Sequence, residues 1–176
     1  MTPRRRKTQQ SSAETAAPET AETSAAPDQR TPQHVSIDVS PHAAAVLRGF
    51  RLHALQNGPL DGLSQFDQFL IRSGRELLDD LQTRYHQGEP FPQPQVRLPK
   101  GTRAGTIGPD DELVRFSARV PGDLLAGMRG VLLWLQLHDA ARAAEQIGMA
   151  PEFWSVGVLR LGRSLQQTHG ITLTPS

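Results

Sequence analysis

Between His34 and Ser40 apolar and polar residues alternate, with Val35, Ile37 and Val39 on one side and His34, Ser36 and Asp38 on the other. A period of two predicts a short strand over 34–40 with one buried face. The pattern then changes. Pro41 suits the first turn of a helix, where a missing N–H costs nothing. Ala45, Val46, Phe50, Leu52 and Leu55 give that helix an apolar side, and Asn57-Gly58-Pro59 ends it. Ser64 is a good N-cap for the next helix, with Asp67 three residues later in capping-box position. That helix runs to about His86 and carries Phe66, Phe69, Leu70, Leu77, Leu78 and Leu81 on its apolar face. Alternation returns over 113–120. Asp123 then caps a helix from Leu124, which either runs past Asp139 or breaks there. Gly148 to Pro151 is a break, and Pro151 opens a last helix that ends near Gly170. Its apolar residues are Phe153, Trp154, Val158, Leu161 and Leu165.

Two stretches fall outside these patterns. Residues 1–33 are rich in Thr, Ala, Ser, Pro, Glu and Gln and show no apolar periodicity. Such a segment buries too little to offset the entropy of ordering, so a disordered tail is expected. Residues 88–112 carry Gly88, Pro90, Pro92, Pro94, Pro99, Gly101, Gly105, Gly108 and Pro109, the composition of a partly extended linker.

The segments on either side of that linker repeat one another. Residues 35–50 align with 116–131 at a constant offset, which places Val35, Ile37 and Val39 on Phe116, Ala118 and Val120. Leu47-Arg48-Gly49 falls on Met128-Arg129-Gly130. With a slightly larger offset, residues 71–77 match 159–165. The chain therefore divides into a tail (1–33), a first copy (34–87), a linker (88–112) and a second copy (113–176). Each copy is a strand followed by two helices.

Charge refines this picture. The net charge is only +1, too little to imply a nucleic-acid partner. The second copy, however, holds six Arg against four acids, and the first five Arg against six acids. Basic surface is expected on the second copy and at Arg4, Arg5, Arg6 and Lys7. The absence of Cys excludes disulfides and Cys-based zinc sites and suits a cytoplasmic protein. No apolar run approaches the ~20 residues of a membrane span.

An alternating strand, a proline and two helices with a small break resemble the ribbon-helix-helix family. The residues that carry the resemblance are Arg115–Gly130 and, more weakly, Val35–Gly49. It implies a mainly α fold with a two-stranded antiparallel β-ribbon, here a tandem pseudo-dimer in one chain. Elementary physics agrees, because a lone strand leaves its ladder unpaired and needs a partner. The linker supplies one at high effective concentration.

In this family the ribbon enters the major groove of double-stranded DNA. The resemblance makes Arg115, Ser117, Arg119, His34, Ser36 and Asp38 the candidate base contacts. Arg suits guanine edges. Asp38 repels phosphate, but suits cytosine N4 or an Arg across the ribbon. The two halves are expected to read different half-sites, or the first copy to be mainly structural. The helix starts at Ser64 and Gln65 and at Pro151 and Glu152 are candidate phosphate contacts.

A basic flexible tail before such a domain is similar to plasmid centromere-binding proteins of the ParB type. That subgroup implies a ParA-type ATPase partner for Arg4, Arg5, Arg6 and Lys7, and self-association on repeated DNA sites. A conjugative relaxosome accessory protein or a repressor of the same fold is the nearest alternative. An antitoxin-like protein-interaction module without DNA binding is another.

Nothing in the sequence points to an enzyme, a cofactor or a metal. There is no Walker loop, Gly-x-Gly-x-x-Gly or His-Glu-x-x-His motif. His42, His53, His86, His138 and His169 lack ligand spacing. The acidic groups Asp79-Asp80 and Asp110-Asp111-Glu112 read as solvated surface, and Trp134 and Trp154 as core or interface.

Overall fold

The two alternating segments form strands β1 (Pro32–Val39) and β2 (Val114–Pro121), which pair antiparallel. The structure is a computed structural model and describes residues 31–94, 101, 103–105, 107–108 and 110–174. Five helices complete the described chain: α1 (Pro41–Asn57), α2 (Phe66–His86), α3 (Gly122–Gln136), α4 (Asp139–Glu145) and α5 (Ala150–His169). The fold is thus mainly helical with one two-stranded antiparallel sheet. Ser36 and Ser117 face one another at its middle. These residues also occupy the same place in the two sequence copies.

The inward residues Ile37, Val39, Ala118 and Val120 are buried on a single core drawn from both copies. The Phe116 ring stacks on Phe66 at 5.1 Å. Helix α2 crosses α5 beneath the sheet. There Gly157 lets the helices approach: a Cβ on it would lie 2.9 Å from the Ser73 carbonyl oxygen. The chain after each long helix returns across the first helix of the other copy. Leu173 passes over Gly49 and Phe91 over Gly130, two glycines that the repeat places in register.

The alternation and the apolar faces of α2 and α5 match their expected positions; other details differ. Ser40 leaves the strand and caps α1, accepting from the Ala43 N–H at 3.3 Å. Helix α1 buries Ala43, Ala44, Val46, Leu47 and Phe50, while Leu52 and Leu55 face solvent. The helix is apolar on several sides, so its own pattern did not settle which side packs.

The N-cap of α2 is Gln65, not Ser64. The Gln68 side chain accepts from the backbone N–H of both Ser64 and Gln65, at 2.9 and 3.2 Å. Asp67, the expected capping-box partner, accepts from the Arg119 N–H of β2. Asp123 is not a cap either. It sits in the first turn of α3 and pairs with Arg75 at 3.1 Å. The chain breaks after Gln136, and α4 is a separate short helix. Within the expected linker, Phe91 and Ile107 are buried.

A charge cluster ties α2, α4 and α5 together. Glu145 is buried and accepts from Arg84, from the Tyr85 hydroxyl and from Arg160. Asp80 accepts from Arg84 and Arg160. Bonding from Arg84 holds the Asp80 carboxyl below its ordinary range, against the opposing effect of burial. A carboxyl lowered by folding contributes stability above its unfolded pKa and loses it as pH falls through the folded one. We therefore expect Asp80→Asn to lower the thermal midpoint at neutral pH. The gap to wild type should narrow as pH falls below the ordinary aspartate range. Tyr85 is shifted upward, first by its bond to Glu145. Its contribution is present below its unfolded pKa and is lost as pH rises through the folded one, above about pH 10. Melting curves across pH test both limbs; a gap that persists undiminished in acid would remove Asp80 from the account.

Candidate nucleic-acid interface

The strand period sends every second residue outward, which gathers His34, Ser36, Asp38, Arg115, Ser117 and Arg119 on one face. The antiparallel register sets Asp38 opposite Arg115, Ser36 opposite Ser117 and His34 opposite Arg119. All six candidate base contacts therefore lie together. They are not equivalent.

Arg115 and Asp38 form a two-pronged ion pair, Nε to Oδ1 at 2.8 Å and Nη2 to Oδ2 at 3.0 Å. The hydrogen bonds from Arg115 hold the Asp38 carboxyl below its ordinary range. At neutral pH this end of the ribbon carries a neutralised pair. Among the described residues the Arg119 guanidinium makes no ion pair; only its backbone N–H is engaged, by Asp67 at 3.2 Å. Of the two roles expected for Asp38, the structure has it paired with an Arg across the ribbon, and that Arg is Arg115.

The candidate phosphate contacts also differ. Ser64 and Gln65 are exposed where α2 starts, and they line a groove of about 570 Å³ between α1, α2 and β2. Leu47, Phe50 and Phe66 give it apolar walls, and Arg48, Arg51, Asp67 and Ser117 supply polar ones. Arg48 and Arg51 join no ion pair among the described residues. They lie three apart on α1 and so share a face. Sequence reading missed both as site residues, although Arg48 stood in the repeated Leu47-Arg48-Gly49.

At the start of α5 the arrangement is closed. Pro151 is half-buried. Glu152, expected at a phosphate, is fully buried and turned inward. Its Oε1 accepts from the N–H groups of Ala104 and Gly105 at 2.8 and 3.2 Å, and its Oε2 from Gly148 at 2.7 Å. The protein's own carboxylate thus occupies this helix start and holds residues 104–105 against it. Glu152 is unavailable to phosphate.

Arg4, Arg5, Arg6 and Lys7 lie outside the described residues. No group of His, Asp and Glu with metal-binding geometry occurs among the described residues. None of their helices is long and apolar enough to cross a membrane. The chain matches no protein-family model, no curated protein and no solved structure.

Proposed function

We propose that this protein binds double-stranded DNA sequence-specifically, with its two-stranded ribbon in the major groove, as a tandem ribbon-helix-helix chain. The observation that carries the reading is the outward face of the ribbon. Six polar side chains project from two antiparallel strands, centred on Ser36 and Ser117, above a core that buries Ile37, Val39, Ala118 and Val120. A two-stranded ribbon of this width fits the major groove, and Arg and Ser are suited to base edges. The pairing of repeat-equivalent serines supports a pseudo-two-fold arrangement. So does the matched crossing of Leu173 over Gly49 and Phe91 over Gly130. The groove with Arg48, Arg51 and the start of α2 lies beside the ribbon, where phosphates flank a base-reading element.

A partition role alongside a ParA-type ATPase, with self-association on repeated sites, extends this reading. It rests on the resemblance and on the basic tail.

The test begins with DNA captured from the source genome by the full chain. Arg119→Ala is expected to weaken binding to the recovered fragment by about 1–3 kcal/mol, the value of a bidentate guanine contact. Affinity for both proteins should fall as salt rises, because neutralised phosphates release counterions. If Arg119→Ala binds the fragment like wild type in gel-shift titrations, the ribbon is not the reader.

A further inference from the structure

The two ends of the ribbon differ in charge and in access. At one end His34 faces Arg119, whose guanidinium is free of ion pairs among the described residues. The start of α2 lies beside this end, because Asp67 accepts from the Arg119 N–H. The open groove with Arg48 and Arg51 lies there as well, and its lining reaches Ser117. At the other end Asp38 holds Arg115 by two hydrogen bonds. The start of α5 lies beside that end, because the Ser40 N–H, next to β1, donates to Ser155 Oγ at 2.8 Å. Here Glu152 fills the helix start and binds residues 104–105 over it. One end thus offers Arg48, Arg51 and Arg119, without ion pairs among the described residues, and an open groove that Asp67 also lines. The other offers a neutralised pair, a buried carboxylate and, by the repeat, exposed Arg129 in the place of Arg48 and buried Leu132 in the place of Arg51.

We infer that the protein takes its DNA in one fixed orientation, on a site without two-fold symmetry, with its tightest half-site under the Arg119 end. This rests on the DNA-binding reading above. Two physical effects produce the bias. Phosphate attraction is stronger where Arg48, Arg51 and Arg119 are unpaired, because of their three repeat equivalents, Arg129, Leu132 and Asp38, only Arg129 is a cation. Arg119 also enters the groove with its whole donor fork, whereas Arg115 must first give up Asp38 or read with the donors that Asp38 leaves over. Asp38 is then a specificity-determining residue. It lowers the pull of its own end on guanine and offers an acceptor that suits cytosine N4.

Selection of the full chain against a random-sequence duplex library, followed by sequencing, reads the orientation directly. Wild type is expected to enrich a non-palindromic motif. On that duplex Arg119→Ala should weaken binding about tenfold or more, and Arg115→Ala less than about threefold. The double variant His34→Arg with Asp38→Arg gives both strands the same outward residues, Arg-Ser-Arg. Its motif should move toward a palindrome. A palindromic motif for wild type, or equal losses for the two alanine variants, would overturn the orientation and leave DNA binding standing. A double variant whose motif stays as asymmetric as that of wild type would also overturn it. If no motif is enriched, the DNA-binding reading itself falls, and the orientation with it.

Discussion

Glu152→Ala is expected to lower the free energy of unfolding by about 3 kcal/mol. The carboxylate is fully buried and accepts three backbone N–H groups, from Ala104, Gly105 and Gly148. An orphaned buried donor costs roughly 1–3 kcal/mol, which applies in full at buried Gly148 and only in part at half-buried Ala104 and exposed Gly105. Water entering the vacated space recovers part of this, which keeps the total below the simple sum. The position in the first turn of α5 adds a favourable interaction with the helix N-terminus that the variant also loses. Glu152→Gln keeps one acceptor oxygen and should cost about half as much. Urea denaturation gives the two values, and hydrogen exchange locates the effect. The amides of Ala104 and Gly105 should lose protection in Glu152→Ala well before the strand amides do. Wild-type stability in that variant would mean that the buried carboxylate is not what fastens residues 104–105.

Phe69→Ala is expected to cost more, about 4 kcal/mol. Phe50 and Phe69 are both fully buried, and their rings lie 4.6 Å apart where α1 meets α2. Truncating either ring removes its transfer free energy and leaves a cavity between two helices that α5 and the strands hold in place. The two losses should not add. The ring pair contributes about 0.5–1.5 kcal/mol of its own, so Phe50→Ala with Phe69→Ala should cost less than the sum of the single variants. The site is affected too, because Phe50 lines the groove that carries Arg48 and Arg51. A Phe69→Ala protein that stays folded in the cold should therefore bind DNA more weakly, without loss of any charge. Additive single losses in urea titrations would show that the rings act independently.

Much of this fold was legible in the sequence where a residue's neighbours along the chain decide its place. The strand faces follow from a period of two, and the buried side of α5 from the spacing of Phe153, Trp154, Val158, Leu161 and Leu165. The Asp38–Arg115 pair was legible as well. Once the copies align on Ser36 and Ser117, an antiparallel register sets those two residues opposite each other.

What stayed hidden was settled by segments distant in sequence. Leu52 and Leu55 look like core on a helix with apolar residues on several sides, until the sides covered by α5 and by Leu173 are known. Asp67 looks like a capping-box acid, until β2 brings the Arg119 N–H to it. Glu152 looks like an ordinary first-turn acid, and its role depends on amides in a segment that reads as a linker. Arg48 and Arg51 gain meaning only when α2 and β2 close the groove beside them.

Both strands of the ribbon come from one chain, so each of its positions is encoded once. In a ribbon built from two identical chains, any substitution is applied twice, and the halves cannot differ. Here His34 and Arg115 hold corresponding places with different chemistry, as do Asp38 and Arg119. Either half can be altered by a single codon while the other stays fixed. The pairing of the halves also needs no second molecule, so the ribbon does not dissolve on dilution.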